Sequence, residues 1–144
     1  MLTLTSEYAL RALIYLTQHA QEWPIPGRRI AEGAEIPAKY LSKVLGDLVR
    51  CGVLDSSPGK HGGFRLRRSP KETRLFDVLA PFEQFERKRC PFGNQACSEE
   101  NPCFAHHRWK RVLDAERRFL QETSVHDVTQ SVDGSRRSRA ARPR

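Results

Sequence analysis

No apolar run in the 144 residues approaches the roughly 18 to 20 residues a helix needs to cross a bilayer. The start, Met1 to Glu7, lacks the basic stretch and apolar core of a secretory leader. A cytoplasmic location is therefore expected, in a compartment that keeps thiols reduced. The constellations of catalysis are missing too. No Ser/His/Asp set, phosphate loop or paired acid–base group stands out, so the pattern does not point to an enzyme. Cysteine is scarce, with four in the chain, yet Cys90, Cys97 and Cys103 fall within fourteen residues. Their C-x6-C-x5-C spacing lacks the close pairs usual in structural zinc sites and the C-x-x-C of thioredoxin-like redox motifs.

What is present fits one small soluble domain. Charged residues make up 29% and apolar ones 38%, an ordinary balance for a folded chain. The net charge of +8 is unevenly spread. Five arginines (136, 137, 139, 142 and 144) against Asp133 give residues 131–144 half of it. That tail has no apolar periodicity and is expected to be disordered.

Ala9, Ala12, Leu13, Leu16 and Ala20 recur at helical spacing and predict a first helix over 5–20. Pro24, Pro26 and Gly27 stop it. A short second helix is expected over 28–34, then a third opened by Ile36-Pro37. Leu41, Val44, Leu45 and Leu48 give the third helix a clean buried stripe, with Gly52 as its stop. Two helices around a tight turn, the second with a polar basic outer face, make a helix-turn-helix pattern.

Val53-Leu54, a turn-rich stretch to Gly63 and the alternation Phe64-Arg65-Leu66-Arg67 then predict a β-hairpin, placed as a wing. The expected DNA-facing residues are Arg28, Lys39, Tyr40, Ser42 and Lys43, with Lys60, His61, Gly62 and Arg65 on the wing. Glycines let a wing tip approach the sugar–phosphate backbone, and cations supply affinity through counterion release.

Leu75, Val78, Leu79, Phe82 and Phe85 predict a fourth helix under the winged domain. Asn101-Pro102 looks like an N-cap and first-turn proline for a long helix to about Thr123. Its apolar positions, Trp109, Val112, Leu113, Phe119 and Leu120, suit a dimerisation element, and two-fold symmetry suits a palindromic operator. The expected fold is mostly α with a small hairpin wing. The expected segments are a winged helix-turn-helix over 1–86, a cysteine loop over 87–103, a dimerisation helix with a short following segment over 104–130, and the tail over 131–144.

Thiolates gathered on one loop in a reducing compartment are ligands before they are disulfides. Their wide spacing in sequence suits an iron–sulfur cluster, whose usual ligands they are. Cys103, placed in the first turn of the long helix, would have the helix dipole favouring its thiolate. Cys51 is expected to be a small buried residue. Two alternatives stay open: a winged-helix regulator with zinc or a thiol-based redox switch, and a small iron–sulfur redox protein, for which a basic wing would be unnecessary.

The segments Thr5-Ser-Glu-Tyr-Ala-Leu-Arg-Ala-Leu13, Ile36-Pro-Ala-Lys-Tyr-Leu41 and Gly59-Lys-His-Gly-Gly-Phe-Arg-Leu66, followed by three cysteines, resemble the BadM-type winged-helix regulators. NsrR-like nitric-oxide sensors and IscR-like regulators of cluster assembly belong to that family. The resemblance covers about Met1 to Thr123. It implies a homodimeric transcription factor, a repressor in function, whose [2Fe-2S] or [4Fe-4S] cluster controls affinity for a double-stranded operator. It matches Cys90, Cys97 and Cys103 to the three cluster ligands. For the fourth it offers Glu7, donated by the other subunit as in NsrR-like members, with His106, at the IscR-like spacing, as the alternative.

Overall fold

The computed structural model describes residues 2–85, 90–93 and 97–131. The expected tail lies outside the described residues apart from Ser131, as do parts of the cysteine loop and the boundary at residue 86. Helix α1 spans Leu4–Gln18 and is followed by a 3-10 turn, Ala20–Glu22. Thr3 is its N-cap: the Ser6 N–H donates to Thr3 Oγ1 at 3.2 Å, a contact generally worth about 1 kcal/mol. Ala9, Ala12, Leu13 and Leu16 are buried at the predicted spacing.

Helices α2 (Gly27–Gly33) and α3 (Ala38–Arg50) follow. Glu35, in the turn between them, has φ +54, a left-handed conformation that disfavours most side chains. Arg11 holds this turn by donating to the carbonyls of Ala34 and Glu35. The stripe Leu41, Val44, Leu45 and Leu48 is buried as expected. Gly52 ends the helix at φ +83. The Val53 N–H donates to Leu48 O at 3.0 Å and the Gly52 N–H to Val49 O at 3.1 Å, the paired bonds of a Schellman turn.

Strands β1 (Leu54–Ser57) and β2 (Gly63–Leu66) form an antiparallel hairpin with Leu54 opposite Leu66 and Ser57 opposite Gly63. Ile25 bridges to Phe64 on the other edge of β2, fastening the wing to the segment before α2. Gly63 has φ +152, and a Cβ there would lie 2.3 Å from the Ile25 carbonyl. Only glycine fits that crossing.

Helix α4 is only Leu75–Leu79, shorter than expected. Pro81 lacks an N–H and obstructs the preceding turn, so the helix cannot run on to Phe85. Phe82 and Phe85 still pack half-buried against the core. Helix α5 is His106–Glu122, starting four residues later than the Asn101-Pro102 pattern suggests. The Asn101 N–H donates to Ser98 Oγ and its carbonyl accepts from the Ser98 N–H. Those groups close a local loop turn instead of capping a helix.

A further short helix, α6 (125–131), went unpredicted. Ser124 and Asp127 cap it reciprocally: the Ser124 N–H and hydroxyl donate to Asp127 Oδ2, and the Asp127 N–H donates to Ser124 Oγ. These bonds hold the Asp127 carboxyl below its ordinary range. The Leu75 N–H donates to Thr123 O and the Val125 N–H to Thr73 O, tying the end of α5 to the start of α4. Leu120 and Val125 thereby join the same core as α1 and α3. Among the described residues, no helix is long and apolar enough to cross a membrane.

Candidate metal centre and nucleic-acid interface

Although five and six residues separate the cysteines in sequence, the fold brings them together. The Sγ atoms of Cys90, Cys97 and Cys103 all lie within 4.8 Å of one another, with Cys90 and Cys103 at 3.4 Å. All three are half-buried thiols. Wide sequence spacing therefore does not mean wide separation, because the loop folds back on itself. Gly93 makes room for this: a Cβ there would lie 2.7 Å from Cys97 Cβ and 3.3 Å from both Cys103 Cβ and Cys97 Sγ. Nothing in the sequence distinguished Gly93 from an ordinary loop glycine.

Cys103 precedes α5 by three residues, so it is not in the helix's first turn as expected. The His106 N–H donates to its carbonyl at 3.0 Å, which keeps it close to the helix start. His106 turns inward. Its Nδ1 is 3.3 Å from Cys97 Sγ, while Nε2 is buried without a hydrogen-bond partner. Glu99 Oε1 lies 3.5 Å from that Nε2, an electrostatic contact and not a hydrogen bond. Lys110 pairs with the same carboxylate. The Lys110 ammonium, and after it the His106 imidazole, hold the Glu99 carboxyl below its ordinary range, and Glu99 raises Lys110 in return.

Phe92 meets the Trp109 ring edge-on at 5.6 Å, closing the apolar side of the loop against α5. Glu7 is exposed in the first turn of α1 and does not belong to the group of sulfurs gathered within the protomer. Cys51 is exposed at the C-cap of α3, not buried as expected. Gly52 turns the chain immediately after it, so position 51 falls past the helix's buried stripe.

Three thiols and an imidazole around one small space, with a glycine where any side chain would intrude, fit a thiolate-bound metal centre. Gly93→Ala is expected to retain the parent's helicity but lose most of its bound metal, measured as metal per chain after anaerobic purification. Full occupancy would show that the loop does not need this space.

At the candidate nucleic-acid interface, Lys39, Tyr40, Ser42 and Lys43 are exposed along α3, and Arg28 is exposed on α2. Tyr40 is 59% exposed, with its ring 6.3 Å from that of Tyr8. Lys60 and His61 are exposed at the hairpin tip and Arg65 on β2. Gly62 is different: a Cβ there would lie 2.1 Å from Ser57 O, so glycine is needed to close the turn.

Among the described residues, Arg28, Lys39, Lys43, Lys60 and Arg65 have no ion-pair partner. Arg29, Arg50, Arg67 and Arg68 are committed to Glu22, Asp47, Asp55 and Asp77. Of the three arginines on the returning strand and just after it, only Arg65 is left for a phosphate.

A helix-turn-helix with an attached wing and a thiol-lined loop defines a winged-helix regulator. The chain belongs to the Rrf2 family of iron-dependent transcriptional regulators, whose family model matches residues 2–131. A protein of Aquifex aeolicus (strain VF5) assigned as an HTH-type transcriptional regulator is 32% identical over 127 residues, covering 86% of this chain and 88% of that relative. The regulator IscR of Photorhabdus laumondii (strain TT01) is 28% identical over 133 residues, covering 92% and 80%. The solved structure of CymR, the global cysteine regulator of B. subtilis, matches with a TM-score of 0.75 at 22% identity, covering 91% of this chain and 97% of that one. At that identity the likeness establishes the fold.

Proposed function

We propose that this regulator is a cytoplasmic homodimer that represses transcription without enzymatic activity, and that an iron–sulfur cluster held by Cys90, Cys97 and Cys103 controls its affinity for a double-stranded operator. The observation that carries the reading is the convergence of the three sulfurs within 4.8 Å in a protein of an iron-dependent family. When bound, such a cluster supplies iron reactive toward nitric oxide and oxidants, beyond the chemistry of the thiols alone. Gly93 keeps the space open, and Phe92 and Trp109 limit water on one side.

For the fourth ligand the geometry supports His106, whose Nδ1 already faces Cys97 at 3.3 Å. Glu7, the first choice from the sequence resemblance, would have to come from a second subunit. A rival reading has a specific observation in its favour. Sulfurs this close also suit a single tetrahedral ion such as zinc, whose thiolate ligands stand about 3.8 Å apart. An absorption spectrum of anaerobically purified protein with iron, zinc and inorganic sulfide analysis separates the two. Iron and sulfide in matching amounts support the cluster, whereas zinc without sulfide overturns it.

The reading head is α3 with the wing beside it. Arg28, Lys39, Tyr40, Ser42 and Lys43 would face the major groove, and Lys60, His61 and Arg65 the adjoining backbone. Replacing Lys60 and Arg65 by alanine is expected to weaken binding to operator and random DNA alike. It should also flatten the logarithmic salt dependence by about one unit per lost phosphate contact. Equal salt slopes in parent and variant would remove the wing from the interface.

A further inference from the structure

Two donors from the start of α1 meet one oxygen that lies far away in sequence. The Thr3 backbone N–H donates to Glu83 Oε1 at 2.7 Å, and the Ser6 hydroxyl donates to the same oxygen at 2.6 Å. Thr3 Oγ1 is 3.0 Å from Ser6 Oγ and accepts from the Ser6 N–H, so the three residues form one small network. Ser6 is fully buried, and a buried hydroxyl needs an acceptor. The carboxylate stands at a helix N-terminus, where charge and dipole agree.

Position gives this network its interest. Glu83 follows α4, its N–H donating to Leu79 O at 3.0 Å, and Cys90 is seven residues further along the chain. At the other end of the network, α1 buries Ala9, Ala12, Leu13 and Leu16 in one core with Leu41, Val44, Leu45 and Leu48 of α3. Glu83 therefore joins the stem of the cysteine loop to the helix that backs the recognition helix. Close-packed elements move as bodies between discrete arrangements and do not deform continuously. A shift of the stem would be delivered to α1, and through the shared core to α3.

We propose that Glu83 is the positioning residue through which the state of the cysteine loop reaches the recognition helix, an inference that rests on cluster control of operator affinity. The test compares operator affinity of cluster-loaded and cluster-free protein, as a ratio, in parent and variants. Glu83→Ala is expected to hold as much iron and sulfide per chain as the parent while its ratio falls about fivefold or more, the low end of ordinary allosteric coupling. Glu83→Gln keeps an Oε1 acceptor for both donors and should keep the ratio. Ser6→Ala removes one of the two bonds and should lower the ratio in the same direction; if Glu83→Ala does not fold, this pair carries the test.

A merely structural contact would lower the melting temperature and both affinities together, leaving the ratio unchanged, and that result would overturn the proposal. A parent ratio of one would sink the cluster reading itself, and this inference with it. A large parent ratio preserved in Glu83→Ala would sink the Glu83 role alone.

Discussion

Cys97→Ala, purified without oxygen, is expected to contain little iron and no inorganic sulfide while keeping the parent's helicity and the melting temperature of iron-free parent protein. The two halves of this expectation have separate causes. Cys97 Sγ is 3.3 Å from His106 Nδ1 and borders the space at Gly93, so its loss removes the thiolate between the imidazole and that space. The fold stands on other residues: Leu13, Leu16, Ile30, Leu45, Leu48, Leu54 and Leu79 are fully buried, and none of them lies in the cysteine loop. Cys90→Ala and Cys103→Ala should behave alike, and Cys51→Ala should keep its full complement. His106→Ala is expected to shift the absorption bands and make them labile to oxygen, with a smaller effect from Glu7→Ala. A Cys97→Ala protein with full iron and sulfide would remove the ligand assignment. The reverse order for His106 and Glu7 would move the fourth ligand to the partner subunit.

Phe119→Glu is expected to convert the proposed dimer into a monomer and to weaken operator binding by about a hundredfold or more, the gain that linked half-sites ordinarily supply. Helix α5 has two apolar faces. Leu120 is buried in the core, and Trp109 and Leu113 are half-buried on the same stripe, with Trp109 against Phe92 of the cysteine loop. Val112 and Phe119, two turns apart on a flank about 100° around the helix from Leu120, are 55% and 57% exposed, with the small Ala115 between them. Large apolar side chains at helical spacing on an uncovered face mark an interaction surface. A glutamate in that seam would leave a charge without a partner once two copies met. Size-exclusion chromatography with light scattering reads the result directly. A dimeric Phe119→Glu protein would place the interface elsewhere.

Local periodicity made most of the winged fold legible. The α3 stripe, Gly52 and the glycine-rich turn were readable because each obeys a rule that neighbouring residues decide. The misjudged positions were those where nearby residues had competing uses. Asn101-Pro102 has the composition of a helix start, but Asn101 spends its backbone groups on Ser98. Pro81 was outweighed in the sequence by the apolar spacing of Phe82 and Phe85, although it stops α4 at Leu79. Ser124 and Asp127 stand at the spacing of a capping pair for α6, a local signal in a segment with little apolar periodicity.

For the candidate centre, the identity of the thiols was legible and their arrangement was not. The role of Gly93 depends on where Cys97 and Cys103 fold back, and the Glu83 contact joins residues 80 and 77 positions apart. Nor could composition show which cations are left unpaired. Arg65 and Arg67 alternate on one short segment, and only the structure shows Arg67 paired with Asp55.

Cluster control of DNA binding is tested most directly by one titration. The operator dissociation constant is measured anaerobically, at one fixed salt concentration, for cluster-loaded protein and for the same preparation after gentle removal of its iron. The two constants are predicted to differ tenfold or more, with random DNA bound equally by both forms. Equal operator constants for the two forms would contradict the account.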